Sequence, residues 1–86
     1  MYILKVDGST EEMTDTSLEA KQKAVGGYIQ ILPTNDGGNI IVDEEGKYKM
    51  KEVNEKANEL VTEIGLSPLD MIVGDVIIVK AGELLE

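Results

Sequence analysis

The stretch Met71-Ile-Val-Gly-Asp-Val-Ile-Ile-Val79 decides the fold class. Crossing a membrane takes roughly 18 apolar residues, so the run is too short to span one, and it is too rich in β-branched side chains to be a helix. Gly74-Asp75 interrupts it. It reads as a strand, the central and most buried one of a sheet. Just before it, Val53, Ala57, Leu60, Val61 and Ile64 fall at helical spacing, and Gly65 followed by Ser67-Pro68 ends the run. Periodicity alone would let this helix start at Lys51; Asn54 followed by Glu55 reads better as an N-cap with an acidic first turn.

Further toward the N-terminus the pattern changes to hairpins. Tyr28 to Leu32 is a good strand, Pro33 to Gly38 is dense in turn formers, and Asn39 to Asp43 pairs back. Glu44-Glu45-Gly46-Lys47 turns the chain again, and Tyr48 to Met50 can add a brief strand. Thr16-Ser17-Leu18-Glu19 matches a capping box, opening a short helix that Gly26-Gly27 closes at Val25. Met1 to Val6 is an apolar opening strand, Asp7-Gly8 a hairpin signal, and Thr10 to Thr14 the returning strand. The expectation is an α+β fold of one domain over residues 1–86, in the order ββ-α-ββ-α-β. A small mixed or antiparallel sheet carries both short helices packed on one face.

Composition narrows the chemistry. His, Cys, Arg, Trp and Phe are all absent, which removes the commonest general base, the thiol nucleophile, the bidentate phosphate clamp and every usual metal ligand except carboxylates. The reading is not an enzyme, with no cofactor and no metal. A carboxylate-only site would have to be built from Asp36, Asp43, Glu44 and Glu45 with magnesium, and nothing in their spacing fixes such a geometry. A net charge of −9 repels nucleic acid and anionic membrane and attracts a basic partner. With no cysteine and no signal-like or spanning segment, the chain suits a reducing cytoplasm. So small a domain buries only about 60–65% of its unfolded surface, and its β-branched strands leave an edge or face to cover, so a homodimer is expected.

Four blocks in order, Val25-Gly-Gly-Tyr-Ile-Gln30, Val42-Asp-Glu-Glu-Gly-Lys47, Asn54-Glu-Lys-Ala57 and Asp70-Met-Ile-Val-Gly74, resemble the signature VGGYIE, VNEEGK, NxxA, DxIVG of a family of small phage, virus and mobile-element proteins built on a domain of unknown function. Gln30 stands where that family usually has Glu, and Asp43 where it usually has Asn. The resemblance implies a phage or mobile-element accessory protein working in the host bacterial cytoplasm.

Each block also has a local structural reading. Gly26 and Gly27 fit a helix C-cap, Asp43 to Lys47 a solvated turn lacking the oxygen-ligand pattern of a calcium loop, and Asn54 a helix cap. The functional readings stand beside these. Glu55, Glu59 and Glu63 form an acidic stripe at i, i+4, i+8, a spacing at which like charges oppose the helix by a few tenths of a kcal/mol per pair. With Asp43, Glu44 and Glu45 they make a candidate surface for a host protein with a basic face. The alternative is an oligomeric protein that binds or sequesters a small molecule such as a nucleotide signal. It would use amides at Gly26, Gly27, Gly37 and Gly38, with Tyr28 (or Tyr2 or Tyr48) stacking and Asn54 as a recognition amide.

Overall fold

A computed structural model of the chain describes residues 1–46, 48–64 and 71–83. Seven elements follow in the order β1 (Tyr2–Leu4), β2 (Thr10–Glu12), α1 (Leu18–Val25), β3 (Ile29–Pro33), β4 (Asn39–Asp43), α2 (Glu55–Ile64) and β5 (Val76–Val79). The expected ββ-α-ββ-α-β order and α+β class are those of the structure. All pairings in the five-stranded sheet are antiparallel, with strand order β2-β1-β5-β4-β3. The last strand in sequence is thus the middle strand in space, and all four of its residues are buried.

Strand alternation divides the core in two. On one side Val76 and Ile78 of β5 align with Leu4, Ile40 and Val42, and Ala57 and Leu60 bring α2 onto that face. On the other, Ile77 and Val79 meet Met1 and Ile41, with Val25 and Ala24 bringing α1. The two helices therefore cover opposite faces instead of sharing one, and the molecule is a three-layer α-β-α sandwich. The cause is the apolar run Val76-Ile-Ile-Val79: a strand with no polar alternation has two faces to keep from water.

Local signals shift by a residue or two. The N-cap of α1 is Ser17, whose hydroxyl accepts from the Ala20 N–H at 3.2 Å, because the Asp15 carboxylate takes the Ser17 N–H at 3.0 Å and closes the preceding turn one residue later than Thr16. Gly26 (φ 83) ends the helix in the left-handed conformation. The returning strand stops at Glu12, and residues 48–50 form a turn instead of a strand. Asn54 caps α2 as expected, its Oδ1 accepting from the Ala57 N–H at 3.0 Å. Gly65, Ser67, Pro68 and Asp70 lie outside the described residues, as do Lys47 and the side chains of Val61, Glu63 and Ile64. Among the described residues no helix is long and apolar enough to cross a membrane.

Candidate functional site

At the end of β4 the chain leaves the sheet through a connection, residues 44–53, that is tied down at both ends. Asp43 is the first anchor. Its side chain is 1% exposed; Lys49 and Lys51 reach its Oδ2 at 2.9 and 2.8 Å, and the Glu45 N–H donates to Oδ1 at 2.9 Å. Burial alone would push this carboxyl up, but the hydrogen bonds from Lys51, Lys49 and the Glu45 amide outweigh it and hold the group down to about 2. The same ammonium groups donate to the end of α1, Lys49 to the Gly26 carbonyl and Lys51 to the Val25 carbonyl. Those carbonyls lack partners inside the helix and sit at its negative pole, so one pair of lysines satisfies a buried acid and a helix terminus together. Gly27 makes the closeness possible. A Cβ there would come within 2.5 Å of Lys49 Nζ and 2.8 Å of Asp43 Oδ1.

Asn54 is the second anchor, with no exposed surface. Its Nδ2 donates to the carbonyls of Leu4 and Gly74, both at 2.9 Å, and its backbone N–H to the Ile72 carbonyl at 3.0 Å. Asn58, one turn on, grips Ile72 from both sides: Nδ2 donates to the Ile72 carbonyl at 2.9 Å and Oδ1 accepts its N–H at 3.0 Å. The Gly74 N–H donates to the Glu52 carbonyl at 2.7 Å, and a Cβ on Gly74 would lie 2.8 Å from Lys51 Cδ. Residues drawn from all four sequence blocks thus meet at one end of the sheet and hold one loop.

What that loop shows to solvent is unusual. Tyr48 and Met50 are 88% and 90% exposed. Met50 has φ 55, a backbone conformation rare outside glycine, kept because the lysines on either side are both anchored inward. Beside Tyr48 a hollow of 370 Å³ opens, lined by Leu32, Val42, Met71, Ile72 and Glu44 among others. Met71 also borders a shallower depression with Val53, Glu55, Asn58 and Glu59.

The predicted acidic residues separate accordingly. Glu44, Glu55 and Glu59 stand around the Met71 surface and Glu45 is exposed on the loop, while the Glu63 side chain lies outside the described residues. Asp43 is not available to a partner, because its side chain is buried and its charge is already paired with Lys49 and Lys51. The proposed ligand residues do not converge on a cavity. The Gly26 and Gly27 N–H groups both donate to the Gln22 carbonyl, those of Gly37 and Gly38 to the Thr34 carbonyl and the Asp36 carboxylate, and Asn54 is fully engaged inside. Tyr28 is 67% exposed, and its carbonyl accepts the Glu44 N–H. Among the described residues no group of three or more carboxylates converges to hold a metal ion.

Lys49, Lys51, Asn58 and Met50 are the residues of this site that the sequence reading passed over, and it named Tyr48 only as an alternative stacking residue for a small molecule. The alternation Lys49-Met50-Lys51 carried a signal, two cations flanking an apolar residue just after an acidic turn, and so did the i, i+4 pair Asn54/Asn58 beside the buried Ala57.

A family model described as Domain of unknown function (DUF3846) matches residues 1–84 of this chain. No curated protein and no solved structure matches it.

Proposed function

The chain belongs to the DUF3846 family, and from the geometry of its loop we propose that it is a non-enzymatic binding protein that docks a basic segment of a host protein, as an accessory factor of a phage or mobile element in the bacterial cytoplasm. One observation carries this reading: a loop braced by a doubly paired buried aspartate and a fully satisfied asparagine holds Tyr48 and Met50 almost entirely in water. Ordering a loop costs conformational entropy, and large apolar side chains in solvent gain nothing by it in the free molecule. A partner surface would recover both, since a preorganised loop loses less on binding and aromatic and Met side chains supply anchoring contact area. Glu44 beside the Tyr48 hollow, Glu45 on the loop, and Glu55 and Glu59 at the adjoining Met71 depression select a partner with Lys or Arg flanking an apolar anchor. The small-molecule reading has less support, because the glycine amides it requires already have acceptors within the chain.

The test is affinity capture from infected bacterial lysate with parent and variant baits, followed by mass spectrometry of proteins and of small molecules released on denaturation. Y48A/M50A should lose the captured protein while keeping its circular dichroism. Replacing Glu44, Glu55 and Glu59 by Gln should slow association and flatten its salt dependence. A protein retained equally by every variant, or a nucleotide released in place of a protein, would overturn the reading.

A further inference from the structure

The two ends of the sheet are built for opposite purposes. At one end β2 is Thr10-Glu11-Glu12, three exposed residues whose acids would confront each other if two copies met there. At the other end β3 is Ile29-Gln30-Ile31-Leu32-Pro33, with no charge from Tyr28 to Pro33 in a chain that carries −9. Acidic gatekeeping is present on one edge and missing from the other.

The hydrogen-bond phase of β3 shows what its outer side offers. The Glu44 N–H donates to the Tyr28 carbonyl and the Thr34 N–H to the Gly38 carbonyl, and the register pairs Gln30 with Val42 and Leu32 with Ile40. In an antiparallel pair alternate residues bond to the same neighbour. Residues 28, 30, 32 and 34 therefore turn their backbone groups toward β4, and Ile29, Ile31 and Pro33 turn theirs outward. Ile29 and Ile31 each present an N–H and a carbonyl, and Pro33 a carbonyl alone. The side chains of this outward set project to the α1 face, where Ile29 packs on the buried cluster and Ile31 is left 42% exposed.

We propose that the outer edge of β3 pairs with the β3 of a second copy of this chain, antiparallel and with a two-fold axis at Ile31, joining two five-stranded sheets into one of ten strands. In that register each Ile31 N–H donates to the partner's Ile31 carbonyl, and each Ile29 N–H donates to the partner's Pro33 carbonyl. Every outward donor is used, and the missing N–H of Pro33 leaves only the Ile29 carbonyl to water. The two Ile31 side chains cover each other on the α1 face and extend its core across the interface. Charge selects the occupant: another copy can approach this highly acidic protein closely only where neither brings an acid. A pairing of this length buries less than the roughly 1,200 Å² of a standard interface, so the dimer dissociates in the range of tens of micromolar. The hollow beside Tyr48 is lined by Gln30 and Leu32 of the same strand, but the edge pairing uses the outward set Ile29, Ile31 and Pro33, so I31E and Y48A/M50A test the two surfaces independently.

Sedimentation equilibrium from low to several hundred micromolar, with I31E and E12Q beside the parent, tests it. The parent should move from monomer to dimer mass, E12Q should follow it, and I31E should weaken association at least about tenfold, with the melting curve of a folded protein. Because a variant can fail for other reasons, amide exchange on the parent gives a second measurement: Ile29 and Ile31 N–H should exchange more slowly at high than at low concentration, while residues of β2 do not change. A parent that stays monomeric, a dimer that survives I31E, or Ile29 and Ile31 amides indifferent to concentration would overturn the proposal.

Discussion

Two aspartates in this molecule make the same local turn and lead different lives. Asp7, in the connection between β1 and β2, accepts the N–H of Ser9 at 2.8 Å; Asp43, at the exit of β4, accepts the N–H of Glu45 at 2.9 Å. Both are the side-chain turn that Asp favours two residues ahead of an amide. Asp7 adds only the hydroxyl of its neighbour Ser9 and lies in solvent, whereas Asp43 is buried and binds two lysines from across the loop. The first organises three residues, and the second joins β4, the 44–53 loop and the end of α1. A motif read from sequence therefore specifies a turn, and burial decides whether that turn becomes a tertiary anchor.

The comparison would break most visibly at the other buried anchor. Asn54→Ala strips partners from the Leu4 and Gly74 carbonyls and the Ala57 N–H together, in a place water does not reach, and should cost about 3 kcal/mol. Urea unfolding checks it through a fall in midpoint at unchanged slope. A loss below about 1 kcal/mol would show that those groups find other partners and that burial there matters less than argued.

Next in size is the carboxylate itself. Asp43→Asn keeps the oxygen that accepts the Glu45 N–H but removes the charge that holds Lys49 and Lys51, and should cost about 1–2 kcal/mol at neutral pH, moderated because both lysines can still reach water. The pH dependence has a definite sign. The folded carboxyl sits at about 2, below the unfolded value of about 4, so the unfolded chain binds the proton more readily between the two. Stability from this group is complete above about pH 4 and is lost as pH falls toward 2. Acid titration of the melting temperature should show that step in the parent and not in the variant; equal slopes would mean that other carboxylates drive acid unfolding.

The smallest effect belongs to Asp7→Ala. Its carboxyl is also lowered, first by the Ser9 hydroxyl and then by the Ser9 N–H, yet it is fully exposed and Gly8 (φ 88) can still turn the chain. The melting temperature should barely move. A drop comparable to that of Asp43→Asn would end the distinction between the two turns.

Sequence by itself determined the element order, because its signals are local: β-branched runs, Asp7-Gly8, the Gly26 stop and the Asn54 cap each act over a few residues. It also determined the net acidity and the absence of the residues most catalysis uses. The opposite placement of the helices was latent in Val76-Ile-Ile-Val79, whose lack of alternation implies two covered faces, yet the sequence reading put both helices on one face, and Ala57 and Val25 lie on different sides. Which acids are presented and which are consumed was decided by tertiary structure alone. Asp43 and Glu44 are adjacent and chemically alike, but Asp43 ends β4, buried beside Lys49 and Lys51, while Glu44 opens the turn beyond it and is exposed. Such long-range pairing depends on where the end of α1 arrives, and no local pattern encodes that.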